Sequence, residues 1–163
     1  MLTLVINNTW HTMNQQTLSL KTLHEGLGAV LKNIATGNVE DEIEELEKEA
    51  KDIHTPEQQR YVLTKVIRLL ENLIVLRHNP SKVKSFMHDN IAWFERKLSS
   101  KDEGQAGKEL TVRMGENIAR VARLRDTILK KRWSDDKFNQ GVEDMKDRAE
   151  RIVQDASHKE VEM

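Results

Sequence analysis

Cysteine is absent from the chain. That excludes a disulfide-stapled scaffold and a thiolate-ligated zinc site, and it fits a reducing compartment. Proline occurs twice and glycine seven times, far from the composition of a collagenous chain. Long apolar runs are missing as well. The richest stretch, Leu69 to Leu76, is interrupted by Glu71 and Asn72, and nothing approaches the ~18 apolar residues that a membrane span requires. The opening Met1-Leu2-Thr3-Leu4-Val5-Ile6-Asn7-Asn8-Thr9-Trp10 has no basic lead and too short an apolar stretch for a secretory signal. A cytoplasmic protein that makes no membrane contact is the expectation. An excess of charge of one sign is also lacking. The formal net charge is −1, so the chain has no global attraction for nucleic acid or an anionic surface.

What the chain does contain is charge and helical period. Charged residues make up 33% of its 163 positions, above the usual ~25%. They are unevenly spread: residues 1–50 hold three basic and eight acidic side chains, whereas residues 51–100 hold nine and five. Apolar residues recur at spacings of three and four almost throughout, the period of an amphipathic helix. The length suits one domain of about 100–150 residues.

Six helices are expected. The first covers about 13–36, with Leu20, Leu23, Leu27, Leu31 and Ile34 on one stripe and Gly37 as its C-cap. Gly26 and Gly28 weaken it or admit a close neighbour. The second, about 38–53, sets Val39, Ile43, Leu46, Ala50 and Ile53 against a crowd of acids. The third opens on Thr55-Pro56-Glu57-Gln58, a capping box with proline at the first helical position. Its body is apolar on two faces, so it should be central. Asn79-Pro80 separates it from a fourth helix over about 81–99, carrying Val83, Met87, Ile91, Phe94 and Leu98 inward. Residues 99–107 read as a flexible joint. A fifth helix follows over about 108–131. A sixth starts at the N-cap Ser134, with Trp133 and Phe138 placed as a hydrophobic staple and Phe138, Val142, Met145, Ala149, Ile152 and Ala156 in heptad spacing. The expected fold is therefore all-α, a single-domain bundle over 1–157 of mostly antiparallel helices. Leu2 to Ile6 form a short extended arm and 158–163 a frayed tail.

Three constellations bear on function. His54, then His88-Asp89, then a later aspartate (Asp126, Asp135 or Asp144) resembles the residue order of metal-dependent HD phosphohydrolases, where adjacent His and Asp hold a divalent ion that activates water. Here Asn90-Ile91-Ala92-Trp93 replaces the small, glycine-containing stretch that usually follows. The acidic run from Glu40 to Glu49, with Glu71 on the next helix, resembles the magnesium site of helical nucleotide pyrophosphohydrolases. Glu44, Glu45 and Glu49 are suitably spaced, but no second acid accompanies Glu71. A solvated acidic face explains the same run. No closed ligand set is apparent, and no metal or cofactor is expected.

The strongest local signal is basic. Arg113, Arg120, Arg123, Arg125, Lys130, Lys131 and Arg132 lie along or just beyond the fifth helix. Such a flank contacts phosphates, a protein partner, or the acidic second helix of the same molecule. Trp93 stands beside Phe94. Phe94 continues the inward stripe, so Trp93 is either a partly exposed anchor or a second buried ring. Met13, Met87, Met114 and Met145 are read as core fillers. The sequence thus points first to a protein-binding module (an adaptor, regulator or inhibitor) whose contact residues are Arg113, Arg120, Arg123, Lys130, Lys131, Arg132 and Trp93. A nucleic-acid-associated helical protein is the second reading and an HD-type enzyme the third. A homodimer is compatible with all three.

Overall fold

The computed structural model describes residues 20–162, with side chains described at 26–152, 154 and 155. The Leu2–Ile6 arm, Trp10 and Met13, and the side chains of Leu20, Leu23 and Ala156, lie outside the described residues. Seven helices account for almost all of the rest: α1 Leu20–Thr36, α2 Asn38–Lys51, α3 Pro56–Arg77, α4 Pro80–Asp89, α5 Ile91–Lys97, α6 Glu103–Leu129 and α7 Asp136–Glu162.

Local chemistry sets the boundaries. Gly37 alone joins α1 to α2. It sits at φ 83°, in the left-handed region where a Cβ is penalised, and its N–H donates to the Ile34 carbonyl. The capping box at α3 is complete: Gln58 N–H donates to Thr55 Oγ1 at 3.1 Å, while Gln58 Oε1 accepts from the N–H groups of Thr55 and His54.

Three expected boundaries are corrected. The helix expected over 81–99 is two helices. The Asn90 side chain donates to the Phe86 carbonyl at 2.8 Å, with the backbone at φ −121°. A short polar side chain that competes for a helical carbonyl breaks the ladder there. The joint expected at 99–107 is short, because α6 begins at Glu103. Asp102 is its N-cap and accepts from Gln105 N–H at 3.1 Å. At α7 the capping side chain is Asp135, not Ser134; it accepts from the N–H groups of Lys137 and Phe138. The helical backbone of α7 extends to Glu162.

The core is built around α3. Nine of its apolar side chains, from Val62 to Leu76, are buried, and the helix packs against α6 and α7 most extensively, then α2, α1 and α4. Gln59 faces the C-terminal end of α6, whereas Arg77 lies against Gly115. Those contacts make α3 and α6 antiparallel. By contrast α7 runs parallel to α3, with Gly141 beside Arg60 and Arg148 beside Glu71. On the other flank, Gly28 admits Phe86: a Cβ at that position would stand 2.7 Å from the ring. The small residue is thus what lets α4 close on α1.

Candidate functional site

The basic flank predicted as a contact surface is largely engaged within the fold. The Arg120 guanidinium forks onto Glu47 of α2, Nε to Oε2 at 3.0 Å and Nη2 to Oε1 at 2.6 Å. Arg113 donates to Glu109 at 2.8 Å and to the Ala35 carbonyl at 3.0 Å, holding α6 to the end of α1. Lys131 donates to the Ile53 carbonyl at 2.7 Å, and Arg132 reaches Glu143 at 2.6 Å. Arg123 and Lys130 are exposed, and neither forms an ion pair among the described residues. Trp93 is half-buried against the core. Its ring meets Phe94 edge-on, with centroids 5.1 Å apart, and Lys32 Nζ lies 5.6 Å from its centre.

These pairs have electrostatic signatures. The hydrogen bond from Arg120 holds the Glu47 carboxyl below its ordinary range, against an opposing desolvation effect. Glu109 is lowered chiefly by the Ser99 hydroxyl that donates to it, with Arg113 adding to the effect. Glu71 shifts the other way. Burial pushes it up, although Arg148 Nη2 stands 3.1 Å from Oε1 and counteracts the shift. That oxygen is buried without an aligned hydrogen bond, so the arginine stabilises it by charge alone.

The two enzyme-like patterns are not assembled. His88 Nδ1 lies 3.3 Å from Glu103, and His54 is exposed at the start of α3. Among the described residues no three His, Asp or Glu side chains converge as metal ligands. In the acidic run, Glu44 faces Lys48 and Glu49 accepts from Lys65 at 2.8 Å, whereas Glu71 faces Arg148 of α7.

Two features were not singled out from the sequence. The first is a closed polar network at one end of the bundle. Buried Gln59 donates Nε2 to the carbonyls of Ile128 (2.8 Å) and Lys131 (3.0 Å), and its Oε1 accepts from Trp133 Nε1 at 2.6 Å. Trp133 is therefore anchored by its indole N–H as well as by packing. The signal was a lone glutamine on the apolar stripe three residues before Val62.

The second feature is an open groove of about 840 Å³ between α4 and the head of α6. Pro80, Val83 and Met87 form one wall, at the i, i+3, i+7 spacing of a single helix face. Gly104, Gly107, Thr111 and Met114 form the other. Gly107 keeps this wall low, with the Met87 methyl group 3.6 Å from where its Cβ would stand. Met87 and Met114 are buried core residues, as expected, and also floor the groove. Val112 stands at the edge, 59% exposed. Sequence reasoning missed this wall because it read 99–107 as a loop. Asp102 with Gln105 three residues on is the signal that would have started the helix earlier.

None of the described helices is long and apolar enough to cross a membrane. No family model, no curated protein and no solved structure matches this chain.

Proposed function

We propose that the chain is a non-enzymatic protein-interaction module, an adaptor, regulator or inhibitor of the reducing cytoplasm, and that the groove between α4 and α6 is its contact surface. One observation carries the reading: an 840 Å³ groove floored by methionines stands open beside a valine that is 59% exposed. Covering apolar surface is favourable by about 25 cal/mol per Å², so a partner that fills the groove gains what water cannot supply. Methionine floors adapt to differing side chains. The basic residues take supporting roles. Arg113, Arg120, Lys131 and Arg132 hold the scaffold, while exposed Arg123 and Lys130 accelerate encounter with an acidic partner.

A nucleic-acid reading rests on the same two exposed cations. Two phosphate contacts would give weak binding with only a shallow salt dependence. The test compares capture from native lysate by wild type, Val112→Glu and the double variant Arg123→Glu/Lys130→Glu, with a thermal melt of each. The groove reading expects Val112→Glu to lose a stoichiometric protein that wild type retains, at unchanged melting temperature. If only the double variant loses its partner, the contact is the basic flank. If that partner is removed by nuclease, it is nucleic acid.

A further inference from the structure

We infer that the groove binds one turn-matched class of ligand, an acidic amphipathic helix presented by another protein; the inference rests on the groove being the contact surface. Shape comes first. The walls run from Pro80 to Met87 and from Gly104 to Met114. At 1.5 Å per residue the longer wall is about 15 Å, the span of roughly ten helical residues. The contacts His88–Glu103, Met87–Gly107 and Arg77–Gly115 follow in order along the two walls, so the walls run antiparallel, and a third helix laid along them presents side chains at i, i+3 or i+4, and i+7 to the apolar floor.

Charge selects the ligand's other face. Arg77, Lys84 and Lys108 line the groove and are exposed, and none has a carboxylate partner among the described residues. Glu103 is the only acid among the residues lining the groove. The rim therefore presents three cations against one carboxylate around an apolar floor. Further along α6, Arg113 and Arg120 are matched to Glu109 and Glu47. A helix with leucine-like anchors and flanking carboxylates neutralises the rim, whereas a basic helix of the same apolar pattern meets like charge.

The probes are two hydrocarbon-stapled, fluorescein-labelled peptides of about twelve residues with the same leucine positions. One carries glutamate at its exposed positions and the other lysine. Fluorescence anisotropy is read against wild type, Val112→Glu and Lys84→Glu/Lys108→Glu, each checked for helical circular dichroism. The acidic peptide should bind wild type at least about tenfold more tightly than the basic one, and should weaken as salt rises. The rim double variant should invert that preference, and Val112→Glu should lose the acidic peptide.

Equal binding of both peptides overturns the acidic specificity, as does a preference that survives the rim double variant. Undiminished binding to Val112→Glu overturns the location. If neither peptide binds but Val112→Glu still loses its lysate partner, the groove remains the contact surface and the acidic-helix assignment is wrong. If sedimentation velocity shows a wild-type dimer that Val112→Glu dissociates, a second copy of the chain occupies the groove instead.

Discussion

The two ends of α6 solve the same packing problem in opposite ways. At its C-terminal end the helix meets the start of α3, and every donor and acceptor in the gap is matched through Gln59, Trp133 and the carbonyls of Ile128 and Lys131. Lys131 is tied to Ile53 in the same region. At its N-terminal end the helix meets α4, and the gap is left open, floored by Met87 and Met114 and rimmed by Arg77, Lys84 and Lys108, which have no ion-pair partner among the described residues. A gap filled by a polar network fixes one geometry, because an unmade buried hydrogen bond is expensive. A gap lined by glycine and methionine accepts a range of fillers. One end of the helix is thus closed by a polar network and the other left open.

The comparison can be broken most severely at the helix that joins the ends. Leu73 is fully buried near the C-terminal end of α3, and Leu73→Ala should cost about 2–5 kcal/mol in urea unfolding. A loss below ~1 kcal/mol would mean that α3 does not couple the ends. At the closed end alone, Gln59→Leu leaves the Trp133 N–H and two carbonyls facing an apolar side chain. The expected loss is about 1–3 kcal/mol, and a cost near zero would show that water substitutes for the glutamine.

Arg120→Gln tests the middle of α6. Its pair with Glu47 is about one-third exposed, so the cost at neutral pH should be only about 0–1 kcal/mol. Because Glu47 is held below its ordinary 4.5, its contribution is present above that pH and is lost as pH falls through the lowered value. The difference between variant and wild type should therefore vanish in acid. Glu71 has the opposite slope: raised by burial, it favours the fold below its ordinary value and loses that contribution as pH rises. Thermal melts of wild type, Arg120→Gln and Glu71→Gln across acid to neutral pH separate the two. The smallest effect belongs to the open end. Val112→Glu should change stability by no more than about 0.5 kcal/mol, and a larger drop would mean that the valine holds the fold together.

Much of the fold is legible in residue spacing. The stripe from Val62 to Leu76 identifies α3 as central, and Thr55-Pro56 and Gly37 mark helix ends because their chemistry is local. The break at Asn90 was hidden, since Val83, Met87, Ile91 and Phe94 keep helical spacing across it while a single side-chain amide turns the backbone. The basic flank was visible as composition, and the acidic second helix was one of its candidate partners, but not the choice among them or the specific pair: Arg120 and Glu47 are 73 residues apart, and nothing local couples them. The groove is a property of two helices placed side by side. It follows from where α6 starts and from how Gly28 lets Phe86 settle, which one-dimensional periodicity does not encode.

The Gln59 network also bears on the time course of folding. Its bonds close loops of 69 to 74 residues, whereas most helical bonds span four. Long loops carry the greater closure entropy, so this network belongs on the native side of the rate-limiting barrier. Interactions absent from the transition state govern escape from the native basin rather than entry into it. Gln59→Leu should therefore steepen nothing on the refolding limb of a chevron plot and raise the whole unfolding limb. The glutamine at the closed end would then act as a kinetic clasp, prolonging the lifetime of a fold whose other end is left open.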